Sequence, residues 1–212
     1  MKTEDLIAAL TADNETKAAP LSRTLALDLG LGFAASIAFF FAFVGLRDTF
    51  FISLDQPRFL FKFVFSLTMA ASGLVLAWRL ARPGANPGRA AKAVLLGPAL
   101  VILASLVEMA VTPSGLWETR MIGHNALHCL TLIPLMSMAP LVGLFATLRH
   151  GAPTDGRRAG AAAALAAAGL SATLYAMNCP DDSPLFLAVW YMIATAIVVV
   201  AGWFAGGRLL RW

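Results

Sequence analysis

Runs of about 20 apolar residues, the length that crosses a bilayer core, recur six times along the chain, and charged residues gather in the gaps between them. The runs cover residues 28–46, 59–78, 91–111, 125–148, 158–178 and 184–207. Each must be helical, because lipid offers no partner for a backbone N–H or C=O and the short alternating segments of an outer-membrane barrel are missing. The predicted fold class is therefore all-α, a polytopic bundle of six transmembrane helices over 28–212 preceded by a short segment, 1–27. That segment carries Glu4, Asp5, Asp13 and Glu15 where a signal peptide would carry basic residues, so it is expected to stay attached.

The runs differ in side-chain size. Phe33, Phe39, Phe40, Phe41 and Phe43 in the first, and Phe59, Phe61, Phe63 and Phe65 in the second, suit lipid or an interfacial aromatic belt. The fifth is nearly all Ala and Gly from Ala159 to Ala168, which favours close approach by neighbours and a central place in the bundle. Gly202 and Gly206 give the sixth a small-xxx-small spacing for the same purpose. Pro134 and Pro140 interrupt the hydrogen-bond ladder of the fourth, predicting a static bend or a hinge.

Composition excludes a water-soluble domain: 59% of the 212 residues are apolar and 13% charged, where a soluble domain has about a quarter charged. With the N-terminus inside, twelve Lys and Arg fall on the cytoplasmic side and only Arg47, Arg58, Lys62 and Arg120 on the other. That asymmetry predicts cytoplasmic termini in a bacterial inner membrane. The net charge of +4 is spread along the flanks of the spans, which fits contact with the lipid bilayer and excludes direct nucleic-acid binding.

Cys129 and Cys179 are the two cysteines, and both fall where an apolar run meets the outer interface. Matched depth on adjacent helices would allow a disulfide, a redox pair or a metal site. His124 and His128 share a helical face beside Cys129, and Asp181 and Asp182 follow Cys179. Together these six residues offer N, S and O donors of a kind that suits zinc, cadmium or copper(I), although no strong metal motif is present. No resident cofactor is expected, and a transient heavy-metal ion at the cysteine pair is the one inorganic ligand the pattern admits. His128 is expected to favour thiolate at its neighbour Cys129, making that sulfur the first to react.

Two other classes compete. A membrane thiol oxidoreductase would need a second redox pair, commonly C-x-x-C, which the sequence lacks. A metal or small-solute transporter would place ionisable groups near the bilayer midplane, and the nearest, Glu108, lies about a turn from the end of the third run. An enzyme is therefore not expected. At the N-terminus Thr3 can cap a helix whose first turn holds Glu4 and Asp5, with Leu6, Ile7 and Leu10 forming one apolar stripe. Such a helix is too short to stand alone and is expected to order on a partner.

The segments MKTEDLIAAL (1–10), LRHGAP (148–153), YAMNCPDDSPLF (175–186), WY (190–191) and LLRW (209–212) resemble the NrsF-type anti-sigma factors along the whole chain. The resemblance implies a six-span inner-membrane protein that sequesters an extracytoplasmic-function sigma factor at its cytoplasmic face. It also implies that the outer cysteines, here Cys129 and Cys179, respond to oxidative or heavy-metal stress. Glu4, Asp5, Leu6, Ile7 and Leu10 become the expected sigma-binding residues, with the basic loop 79–92 as a second contact. Asn178 departs from the family pattern, where a His is expected.

Overall fold

The computed structural model of the chain describes residues 3–5 and 20–210. Six helices are long and apolar enough to span a membrane: α1 (Leu21–Val44), α2 (Pro57–Leu80), α3 (Gly88–Val111), α4 (Ala126–Gly151), α5 (Gly156–Ala176) and α6 (Pro184–Leu209). Among the described residues there is no strand, so the protein is an all-α integral membrane protein. Helix α1 starts earlier than the apolar run. Pro20 opens it, and Leu21, Leu25 and Leu29 already pack on the core there, which extends the helix past Arg23 and Asp28.

Helix α5 is the axis. In its most apolar stretch 83% of residues are buried, against 11% in α1 and 17% in α3. Helices α2, α4 and α6 pack around it, α1 lies outside against α4, and α3 lies outside against α2 and the start of α6. The small residues of α5 explain this placement. A Cβ at Gly202 of α6 would collide with Ala164 and with the carbonyl of Gly160, so the two backbones meet without side chains between them. Gly169 of α5 meets Ala70 and Ser66 of α2 in the same way.

The aromatic residues divide differently from the expectation. Phe41 and Phe43 are exposed, but Phe40 of α1 and Phe65 of α2 are buried in the cluster that holds the cysteines, and Phe59 is buried against Phe50, Phe63 and the Arg47 guanidinium. Helix α3 contains a break at Val94–Leu95, where Pro98 supplies no N–H for the Val94 carbonyl.

Both prolines of α4 lie inside a continuous helix. Pro140 cannot donate to the carbonyl of Met136, and the Ser36 hydroxyl of α1 donates to that oxygen instead, at 2.7 Å. Closer to the arginine-rich end, Thr147 of α4 donates to Asp28 of α1 at 3.0 Å. These two bonds form a polar seam between α1 and α4. At the other end, the thiol end, lie the 177–183 turn and the last turn of α1, which is a π-helix over Phe40–Val44 and stops at Gly45 with φ 73°.

Candidate functional site at the cysteine turn

The turn between α5 and α6 is held from three sides. Asp181 reaches to the start of α4: its Oδ2 accepts from the backbone N–H of His124 (3.0 Å) and Asn125 (2.9 Å) and from the Asn125 side chain (3.1 Å). A carboxylate there offsets the positive end of the helix dipole. Asp182 faces the opposite way. It pairs with Arg47 at 3.0 Å and with Lys62 of α2 at 2.6 Å. Asn178 holds the end of α1, its side-chain amide donating to the carbonyls of Val44 (3.3 Å) and Gly45 (3.1 Å).

Cys179 sits at the centre of this clamp. Its carbonyl oxygen accepts from Lys62 Nζ at 2.7 Å and from Arg47 at 3.1 Å. Its Sγ lies 3.9 Å from the Asp181 carbonyl. The side chain has no exposed surface and shares one buried cluster with Cys129, Tyr175, Phe186 and Tyr191. Both thiols are free, and they are close enough for the charge of one to act on the other. Burial pushes the Cys179 thiol above its ordinary range, with the Lys62 ammonium and the hydrogen bond to Asp181 pulling against it. A buried thiol that keeps its proton is a poor nucleophile.

Two tyrosines complete the surroundings. The hydroxyls of Tyr175 and Tyr191 border the Cys179 sulfur, and their ring centroids are 5.8 Å apart. Tyr175 also donates to the Asn125 carbonyl at 3.4 Å. Tyr191 OH is buried and has no conventional hydrogen-bond partner among the described residues.

The six expected donors do not converge on one point. His124 is exposed and its Nδ1 lies 3.7 Å from Asp181. His128 is also exposed while Cys129 beside it is fully buried, so the imidazole is not positioned to activate that sulfur. Asp182 is engaged by two cations. Among the described residues, no group of three or more His, Cys, Asp or Glu side chains converges in a way that could hold a metal ion. Of the expected N-terminal contacts, Glu4 and Asp5 are helical and exposed, and Leu6, Ile7 and Leu10 lie outside the described residues.

A second ionic knot ties the same end. Glu108 of α3 is buried and accepts from Arg58 at 3.0 Å and from Arg120 on the short helix Trp117–Ile122. Arg120 also donates to Thr112 at 2.9 Å. All four basic residues that depart from the charge asymmetry are thus paired to a carboxylate: Arg47 and Lys62 to Asp182, Arg58 and Arg120 to Glu108. By position along the chain these four are only exceptions to the charge asymmetry, and Lys62 lies too far in sequence from Cys179 and Asp182 to be read as part of the site. Their being the minority was the available signal.

Fold and site together define a six-helix membrane protein whose thiol end is locked by two ion clusters around a buried cysteine pair. The sequence signature described as NrsF, negative regulator of sigma F, matches residues 10–212, and the chain belongs to that family. It is 31% identical over 214 residues to the probable anti-sigma-F factor NrsF of Azospira oryzae. To the anti-sigma-F factor NrsF of Caulobacter vibrioides it is 34% identical over 219 residues. Both alignments cover 100% of this chain and 100% of the relative. No solved structure matches the chain.

Proposed function

We propose that the chain is an anti-sigma factor of the bacterial inner membrane. It retains an extracytoplasmic-function sigma factor through residues 4–10 at the cytoplasmic face and releases it when Cys129 and Cys179, on the periplasmic side, are oxidised or take up a soft metal ion. Membership of the family of negative regulators of sigma F and the names of both relatives support the regulatory part. The observation that carries the sensor part is the burial of two free thiols in one cluster, beneath a turn on which α1, α2 and α4 are all anchored.

Joining the sulfurs as a disulfide breaks two S–H bonds and sends two protons and two electrons to an oxidant. Binding of Cd2+ between them releases two protons with no change in oxidation state. Either product fixes the two sulfurs relative to each other and pulls Cys179 against its hydrogen bonds to Lys62 and Arg47. The displaced turn moves the start of α4 through Asp181 and the end of α1 through Asn178. The α1–α4 seam at Ser36–Met136 and Asp28–Thr147 carries the shift to the N-terminal end of α1, next to the sigma-binding segment.

The competing classes lack comparable support. The buried pair has no second pair to pass electrons to, and Glu108, the residue a transporter reading would use, is held by two guanidinium groups.

Affinity purification of the full chain from solubilised membranes, with mass spectrometry of what co-purifies, tests the proposal. A sigma factor should be recovered from unstressed cells and lost after diamide or cadmium treatment. Cys129→Ser and Cys179→Ser should each abolish that response, and the double variant should match either single one. Recovery of no sigma factor would refute the regulatory part. Unchanged responses in the serine variants would refute the thiol part. A periplasm-active reporter fused after residue 55, 118 or 182 should be active and one after 86 or 154 silent, and the reverse would overturn the orientation.

A further inference from the structure

We infer that the cleft between α1 and α2, at the end opposite the cysteines, is a binding site for an anionic phospholipid. It encloses about 660 Å3, within the range of small-ligand sites. Leu25 of α1 and Leu74 and Val75 of α2 form its apolar floor, and Trp78, Arg79 and Arg82 stand at its mouth. The Arg82 guanidinium lies 4.8 Å from the Trp78 ring centroid, which holds it at the mouth by a cation–π contact.

Charge distinguishes this cleft. The four basic residues named above at the thiol end are all ion-paired, whereas neither Arg79 nor Arg82 has a carboxylate partner among the described residues. Two guanidinium forks that converge on one concavity match the oxygens of a phosphodiester. The cleft between α4 and α6, by contrast, offers Arg149 alone.

Depth decides the occupant. Val75 is 48% exposed and lies about 7.5 Å further along the helix axis than Leu80, at 1.5 Å per residue. A water-soluble partner could meet the arginines but would leave this floor uncovered within the apolar zone. A lipid satisfies both at once, its phosphate between the arginines and an acyl chain along Leu25, Leu74 and Val75, with Trp78 at the interface between them. So seated, it bridges α1 and α2 where α1 leads to the N-terminal segment.

Native mass spectrometry of the delipidated full chain tests the site, titrating phosphatidylglycerol, phosphatidylcholine or inorganic phosphate. Phosphatidylglycerol should be retained over phosphatidylcholine, and millimolar inorganic phosphate should not displace it. Arg79→Ala with Arg82→Ala should weaken retention about tenfold, the scale of losing charge-assisted contacts. Arg149→Ala with Arg157→Ala should leave it unchanged. Should the alanine pair fail to fold, Arg79→Lys with Arg82→Lys keeps the charge and loses the forks, and a severalfold weakening is still expected. Equal retention of the two lipids, displacement by inorganic phosphate, or equal loss in the Arg149 and Arg157 control would overturn the site. So would stronger lipid retention after Glu4→Gln with Asp5→Asn, which would make the chain's own acidic segment the occupant. Loss of sigma-factor recovery without loss of lipid would assign the arginines to a protein contact.

Discussion

Lys62 donates a 2.7 Å hydrogen bond to the carbonyl oxygen of Cys179 from a side chain with no exposed surface. The bond joins the second helix to the turn after the fifth, and Asp182, 2.6 Å from the same ammonium, neutralises it. A buried cation is tolerated only with such partners.

Replacing Lys62 by Met should therefore cost about 3 kcal/mol, the scale of breaking a buried ion pair. Thermal unfolding in detergent should show the loss as a clearly lower midpoint. Lys62→Met combined with Asp182→Asn should cost less than the sum of the two single variants, because they share one interaction. Strict additivity would mean that the ammonium and the carboxylate are not coupled.

Ser36→Ala leaves the Met136 carbonyl without its donor and should destabilise by about 1 kcal/mol. In a Pro140→Ala background the new backbone N–H can reach that carbonyl, so the serine becomes dispensable and its removal should cost almost nothing. A cycle of the four proteins measures the difference. An equal cost in both backgrounds would remove the assigned role of Ser36.

Close backbone contact makes a different demand. Gly202→Ala should lower the unfolding midpoint and the amount of protein in the membrane, since a methyl group there meets Ala164 and the Gly160 carbonyl. Gly30→Ala adds the same methyl where nothing lies within 4 Å and should be neutral or slightly stabilising, as alanine is the better helix former. Identical behaviour of the two variants would argue against the α5–α6 packing.

The Cys179 thiol has a pKa raised by burial, so the folded protein holds its proton through a pH range in which the unfolded chain, at about 8.5, has lost it. Above that value the unfolded state binds fewer protons, and stability must fall as pH rises. Unfolding followed from pH 7 to pH 10 should show the decline, and Cys179→Ser should make it shallower. Alkylation by a membrane-impermeant maleimide should be slow at neutral pH, and faster in Lys62→Met, where the clamp is loosened. Rapid labelling of the parent protein at pH 7 would contradict the burial of this thiol.

Much of the bundle was legible from local pattern. The six spans followed from apolar run length, and the central place of α5 followed from its alanines and glycines, because small side chains allow close helix contact wherever they occur. The reading of the second span's phenylalanines as facing lipid or an interfacial aromatic belt does not hold for Phe59 and Phe65, which are buried. Phenylalanine is equally suited to lipid and to a helix interface, and only the packing of neighbouring elements separates the two. The grouping of His124, His128, Asp181 and Asp182 with the cysteines rested on sequence neighbourhood alone. It could not show that the histidine side chains are exposed, or that the two aspartates face opposite ways, one to the α4 start and one to Lys62.

The sequence by itself determined the class of the protein, since a bilayer admits a long apolar run only as a helix and a basic-residue imbalance of twelve to four is a property of composition along the chain. It also determined that both thiols lie at one end. Only the tertiary structure decided which charges meet there. Arg47 and Lys62 find Asp182, and Arg58 and Arg120 find Glu108, in pairings that mostly join separate helices and turns. The physical reason is that an ion pair in a low-dielectric interior depends on distance and burial in space, and neither is written in the spacing of residues along the chain.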